Sequence, residues 1–282
     1  MEVFHQQKAL KSYLNDKREN NTIGFVPTMG ALHNGHLSLV EEAYKQCDLV
    51  VVSIFVNPTQ FDNPEDLEKY PKTLQKDKEL LEESFREIII YAPAVVDVYP
   101  EKVVSQQFDF GELETKMEGK YRSGHFDGVG TIVKKLFEIV EPHKAFFGKK
   151  DYQQYLIIKK LVEVTKLPVE IIGCPIKREE NGLARSSRNE RLSSTERKEA
   201  TFIYQTLQQV KSEFGIKSAK EIIENVKKAF EKHQIFELEY FEIANAENLN
   251  PLVSKPKKNT KYRAFIAAYL GKIRLIDNIA LN

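Results

Sequence analysis

Short, almost unbroken apolar runs alternate along the chain with longer stretches in which apolar positions recur every three or four residues, as far as about Cys174. The runs Ile23–Val26, Leu49–Val56, Glu87–Tyr91, Lys144–Phe147 and Val169–Cys174 predict strands. The periodic stretches Leu37–Gln46, Leu67–Glu83, Thr131–Val140 and Asp151–Thr165 predict helices, and residues 1–20 are charged with a helical pattern. Strands that are apolar at nearly every position are covered on both faces, which is the habit of parallel sheets. The alternation therefore predicts an α/β fold, a doubly wound, Rossmann-like parallel sheet. Such sheets bind ligands beyond the carboxyl ends of their strands, where the strand order reverses.

Past Ser193 the pattern changes. Ser194–Phe214 and Ser218–Lys232 predict helices, the second with Ser218 as N-cap and Glu221 three residues on. Phe236–Ile243, Tyr262–Tyr269 and Lys272–Ile279 predict strands, the last two joined tightly at Leu270-Gly271. The expected organisation is a first domain over 1–175 and a smaller C-terminal α+β lid domain over 176–282, hinged at about 176–191. There is no internal repeat and no low-complexity tract.

The predicted strand ends carry the chemistry. Pro27 closes the first strand because it has no N–H to donate to a central ladder. Gly30 and Gly35 bracket a turn, and Leu37, Val40 and Ala43 then start a helix. A helix start leaves its first N–H groups without intrahelical partners and is positive in potential, so this is an anion site. His33 and His36, three residues apart, stand at its mouth. They read either as cap or surface residues or as donors to a bound phosphate. A metal centre is the weaker alternative, since no cysteine or carboxylate lies close by to complete a set of ligands. Three more strand ends lead into polar segments: Asn57-Pro58-Thr59-Gln60-Phe61, Gly148-Lys149-Lys150-Asp151 and Lys177 to Asn189.

Composition narrows the class. In 282 residues, 42 Lys and Arg face 41 Asp and Glu, so no net field draws the protein to nucleic acid or to an anionic membrane. The longest apolar stretch, Leu49–Val56, is far too short to span a bilayer. The N-terminal residues lack the pattern of a secretory signal. Cys47 and Cys174 adjoin apolar runs and read as reduced core residues of a cytoplasmic enzyme.

Five segments in this order resemble the pantothenate synthetase (pantoate–β-alanine ligase) family, within the wider class of nucleotidyltransferases and synthetases with a His-x-Gly-His signature. They are Pro27-Thr-Met-Gly-Ala-Leu-His-Asn-Gly-His36, Phe55-Val-Asn-Pro-Thr-Gln-Phe61, Tyr121-Arg-Ser-Gly-His-Phe-Asp-Gly-Val129, Phe147-Gly-Lys-Lys-Asp-Tyr-Gln-Gln154 and Gly182-Leu-Ala-Arg-Ser-Ser-Arg-Asn189. The resemblance covers essentially the whole chain. It implies ATP-dependent joining of pantoate to β-alanine through pantoyl adenylate, with release of pyrophosphate and AMP, in a cytoplasmic homodimer.

The resemblance also implies roles. Met29, Gly30, Ala31, Leu32, His33, Asn34, Gly35 and His36 surround ATP, with His36 as proton donor to the phosphates and His33 beside it. Gly148, Lys149, Lys150, Asp151, Lys177, Arg185, Ser186, Ser187 and Arg188 complete the nucleotide site, Lys150 as a cation on the phosphates. Asp151 either accepts the ribose hydroxyls or caps the helix that follows. Gln60, Gln154, Asn57 and Arg122 hold pantoate and β-alanine, Met29 and Phe61 line the apolar side of that pocket, and Gln153 reads as solvated. Mg2+ accompanies the triphosphate, and Asp77 matches the family's ligand position although by pattern alone it is an exposed helix carboxylate. Three residues depart from the family pattern: Ser123 for Pro, Asn181 for Asp and Arg185 for Met, the last adding charge beside the phosphates.

Overall fold

Parallel pairing of six strands organises the first part of the chain, which a computed structural model describes for residues 1–60, 67–68, 70–122 and 124–282. Phe61 and Ser123 lie outside the described residues. The strands are β1 Glu2–Phe4, β2 Ile23–Thr28, β3 Leu49–Ile54, β4 Ile89–Tyr91, β5 Lys144–Gly148 and β6 Glu170–Cys174. Their order is β1-β4-β3-β2-β5-β6, with every pairing parallel. From β2 the chain runs outward through β3 and β4 and then crosses back to β5 and β6. The order thus reverses between β2 and β5, where an α/β sheet opens a crevice for a ligand.

Alternate residues of each strand go to opposite cores, which is why the runs are apolar throughout. Phe25, Val51, Ile89, Ala145 and Phe147 pack with the helices Gln7–Arg18, His125–Val140 and Tyr152–Thr165. Val26, Val50, Val52, Ile90 and Phe146 pack with Asn34–Gln46 and Leu74–Ser84.

Three expectations are corrected in this part of the chain. β1 goes unseen in the sequence because three residues at a sheet edge carry no period, and the N-terminal helix begins only at Gln7. The helix expected over Leu67–Glu83 does not run through: Leu67 and Glu68 are helical, and a regular helix then covers Leu74–Ser84. Pro71 lies between, and a proline disfavours helical backbone in the residue before it. The helix expected from Thr131 begins at His125, because Gly128 and Gly130 hide its period. Both glycines are there for close approach. A Cβ on Gly128 would lie 2.1 Å from the Thr59 carbonyl oxygen, and one on Gly130 would lie 2.9 Å from the Phe110 ring. By packing, one unit comprises 1–149 and 154–175, and the other comprises 150–153 and 176–282. The segment 150–153, expected with the first domain, joins the second because Tyr152 faces Phe265 at 5.8 Å and the Arg263 guanidinium at 4.3 Å.

Within the second unit, β7 Phe236–Asn245, β8 Tyr262–Leu270 and β9 Ile273–Ala280 form an antiparallel sheet in that order. Ile203, Leu207 and Val210 of helix Thr201–Glu213, with Ile222, Val226 and Phe230 of helix Ala219–Lys232, close its core against Phe241, Ile243, Ile266 and Leu275. Ser218 caps the second of these helices in a reciprocal box with Glu221. The single helix expected over Ser194–Phe214 is two, Ser194–Glu199 and Thr201–Glu213. Among the described residues no helix is long and apolar enough to cross a membrane.

Gly128→Ala forces a methyl group into a backbone carbonyl and is expected to destabilise the protein by about 1–3 kcal/mol. Gly148→Ala, where the nearest neighbour of a new Cβ is 3.9 Å away, is expected to stay within about 0.5 kcal/mol. Thermal unfolding of the two variants beside the parent checks the contrast.

Candidate active site

The turn after β2 is built from an unusual pair of backbone conformations. Thr28 Oγ1 donates to the Ser53 carbonyl at 2.7 Å and accepts the Gly30 N–H at 3.2 Å. Gly30 and Ala31 then both take positive φ, +81° and +49°. This bends the chain so that the N–H groups of Ala31 and Leu32 meet the carboxylate of Asp77 at 3.0 and 2.7 Å. The Thr73 hydroxyl adds a third donor at 3.0 Å. At Gly30 the positive φ disfavours a side chain, and a Cβ would crowd Asp77 Oδ2 at 3.0 Å.

Asp77 is only 2 % exposed, which corrects the expectation of an exposed helix carboxylate. Its two oxygens are engaged by the turn, and among the described residues no three His, Cys, Asp or Glu side chains cluster as metal ligands. In this structure Asp77 is the clamp of the β2 turn.

Helix Asn34–Gln46 starts where the clamp releases the chain, three residues before the periodic pattern suggests. His33 is its N-cap, accepting the Gly35 N–H on Nδ1 at 3.0 Å, and His36 Nδ1 accepts the His33 N–H at 3.3 Å. The rings stack with centroids 4.1 Å apart. An imidazole that accepts on Nδ1 carries its neutral-form proton on Nε2. Capping thus uses one edge of each ring and fixes Nε2–H as the donor edge. This satisfies the cap reading and retains the chemistry the phosphate reading requires.

Beyond β3, Asn57 is completely buried. Its Oδ1 accepts from the Tyr99 hydroxyl at 2.7 Å, and its Nδ2 lies 3.3 Å from Gln60 Oε1 and 3.4 Å from the Gly128 carbonyl. Asn57, expected at the pantoate and β-alanine site, is enclosed by Thr59, Gln60, Tyr99 and the Gly128 backbone. Gln60 is half-buried, and its carbonyl accepts from Arg122 Nη2 at 3.4 Å. Arg122 Nη1 also meets His125 Nε2 at 3.0 Å. Gly148 ends β5 opposite Cys174, and the stem of Lys149 lies over Gly173, where a Cβ would come within 2.7 Å of it. Gln154 is half-buried early in the helix that leads to β6, while Gln153, expected to be solvated, is buried.

In the second unit Asn278 donates to the Lys150 carbonyl at 2.8 Å, and Lys150 Nζ lies 3.4 Å from Asp151 Oδ1. Asp151 closes a short 3-10 turn, Lys149–Asp151. The segment 177–185 doubles back on itself: the Arg185 N–H donates to the Lys177 carbonyl at 2.9 Å, and Asn181-Gly182 makes the turn with φ +91° at Gly182. Arg178 ties this hairpin to the sheet through a two-pronged pair with Asp277 at 2.5 and 2.9 Å. Ser186 caps the turn Ser187–Arg191 by accepting the Arg188 N–H at 3.3 Å. Lys150, Ser186 and Arg188 line one cavity together with Asn189, Arg274 and Asp277. The lysine and the serine–arginine turn, far apart in sequence, are therefore neighbours. Arg185, expected to bring charge to the phosphates, points its guanidinium at Glu179, 3.6 Å away, where Arg197 is already paired at 2.9 Å. Lys177 contributes backbone to the hairpin and its side chain is exposed.

Thr73, Tyr99, Asp277 and Asn278 support these sites and appear in none of the motifs. Each acts across a long sequence separation, so spacing gives no sign of them.

A doubly wound sheet whose reversal point carries a histidine-capped helix start defines a nucleotide-binding α/β enzyme. The family model for pantoate-beta-alanine ligase matches residues 2–280. The chain is 58 % identical to the pantothenate synthetase of Christiangramia forsetii and 46 % to that of Aquifex aeolicus, covering 100 % and 97 % of those proteins and itself matched over 100 % and 98 %. Among solved structures, pantothenate synthetase from Thermus thermophilus superposes with a TM-score of 0.91 at 39 % identity, covering 100 % of this chain and 99 % of that one. The Francisella tularensis pantoate-beta-alanine ligase, complexed with beta-gamma ATP and beta-alanine, gives 0.81 at 38 %, covering 100 % and 98 %. The chain belongs to the pantoate–β-alanine ligase family, and its activity is the ATP-dependent formation of pantothenate.

If Asp77 clamps the turn, Asp77→Ala leaves buried N–H groups without an acceptor and costs about 1–3 kcal/mol. The loss is expected in thermal unfolding of the ligand-free protein and is expected to be the same with and without Mg2+.

Proposed function

We propose that the pantoate carboxylate attacks the α-phosphorus of ATP, forming the acyl–phosphate bond of pantoyl adenylate as pyrophosphate leaves. The β-alanine amine then attacks the acyl carbon, its proton is lost, and AMP departs. What carries this reading is the reciprocal His33–His36 cap, which sets two Nε2–H donors beside a helix N-terminus at the point where the sheet order reverses.

The backbone of residues 29–36 cradles the nucleotide, with Gly148, Lys149 and the Lys177 backbone around it. His33 and His36 donate to its phosphates, and His36 supplies the proton. Lys150 neutralises developing charge as a compact cation, while Ser186, Ser187 and Arg188 receive the leaving pyrophosphate. Asp151 accepts the ribose hydroxyls. Gln60, Gln154 and Arg122 orient pantoate. Mg2+ enters as part of the ATP substrate, chelated by phosphate oxygens. The C-terminal unit acts as a lid, and the protein works in the cytoplasm as a homodimer.

Exchange of label between pyrophosphate and ATP is expected to require pantoate and to proceed without β-alanine. Exchange independent of pantoate would remove this acid as the group activated. His36→Ala and Lys150→Ala are each expected to lower turnover at least about tenfold, the low end of what a positioned acid–base group contributes, with the fold retained in both. Parental rates in both would contradict the assigned roles.

A further inference from the structure

Tyr99 belongs to no motif, yet it is buried at 4 % exposure beside Asn57, whose amide reaches the half-buried Gln60. Its hydroxyl donates to Asn57 Oδ1 at 2.7 Å. The amide nitrogen of Asn57 lies on the other side, 2.9 Å from Thr59 Oγ1, 3.3 Å from Gln60 Oε1 and 3.4 Å from the Gly128 carbonyl. The Gly128 carbonyl only accepts, so an Asn57 oxygen in that position would face another oxygen. The Gly128 carbonyl thus sets which end of the buried amide is nitrogen, and the Tyr99 and Thr59 hydroxyls hold the oxygen end by donating to it at 2.7 and 3.2 Å.

The consequence passes to Gln60. Its Oε1 receives the Asn57 N–H, so the end of the Gln60 amide turned away from Asn57 is Nε2, a pure donor. We infer that Tyr99 is a positioning residue which, through Asn57, fixes Gln60 as a hydrogen-bond donor toward the carboxylate and hydroxyl oxygens of its hydroxy-acid substrate. The inference rests on the reading of Gln60 as a pantoate contact and deepens it: Gln60 reads acceptor oxygens and does not present its own. Burial raises the Tyr99 hydroxyl above its ordinary range, which keeps the donor proton in place. The Gly128 backbone closes the far side of the same pocket, and the clash a Cβ would make there with Thr59 is part of the same close packing.

Steady-state kinetics on Tyr99→Phe, Gln60→Ala and the double variant test this, with melting curves for each. Tyr99→Phe, which keeps the ring and removes only the donor, is expected to raise the pantoate KM several-fold while the KM values for ATP and β-alanine stay at the parental level. Because Tyr99 acts through Gln60, the double variant is expected to be no worse than Gln60→Ala alone, the non-additivity of residues in one network. Should Tyr99→Phe fail to fold, Asn57→Asp carries the test, since it keeps the acceptor for Tyr99 and removes the donor for Gln60. An unchanged pantoate KM in Tyr99→Phe, with a raised one in Gln60→Ala, would overturn the relay and leave the pantoate contact standing. Additive effects would overturn it as well. An unchanged pantoate KM in Gln60→Ala would instead remove the contact, and the relay with it.

Discussion

The buried carboxylate of Asp77 holding the N–H groups of Ala31 and Leu32 is the interaction on which the site depends. Two consecutive residues with positive φ, one of them an alanine, are not a conformation a chain adopts unaided. The clamp stabilises that bend, and the bend delivers the chain to His33 in the extended conformation that an N-cap needs. Only then do the imidazoles cap the helix reciprocally through their Nδ1 atoms. A carboxylate from a different helix thereby fixes the orientation of two histidines it never touches.

The same economy recurs at the end of β3. Asn57 and Tyr99 touch each other and the backbone, and their product is the orientation of one half-buried amide. In the second unit, Asn278 on β9 holds the backbone of Lys150, and Arg178 fixes the hairpin that carries Ser186 through Asp277. The histidines, Gln60, Lys150 and Ser186 are all partly exposed, and each is backed by a buried polar residue with several partners. Buried polar groups that are fully satisfied rigidify their surroundings, and this is where a pre-organised site obtains its precision.

The fold was legible because both cores leave a trace in the sequence: Phe25 and Val26 go to opposite faces, as do Val51 and Val52, so covered strands appear as unbroken apolar runs. β1 was not legible, since three residues cannot show a period. The start at His125 was masked by glycines whose reason lies in Thr59 and Phe110, on other elements. At the site, the histidine cap could be read locally because cap and helix are contiguous. The burial of Asp77 and the neighbours of Asn57 and Arg185 were not legible for one common reason: a carboxylate, an amide or a guanidinium looks the same in sequence whether it is exposed or engaged by a neighbour elsewhere in the chain. The Arg178–Asp277 pair, 99 residues apart, shows the distance involved.

The histidine-capped turn after β2 and the Lys150 and Ser186–Arg188 cluster are proposed to serve one triphosphate, and a crystal structure with ATP and pantoate bound tests this most directly. Phosphate oxygens are expected within hydrogen-bonding distance of His33 or His36 Nε2, of Lys150 Nζ and of the Ser186–Arg188 turn, with the pantoate carboxylate in line with the α-phosphorus. A triphosphate seated away from the His33–His36 helix start would contradict it.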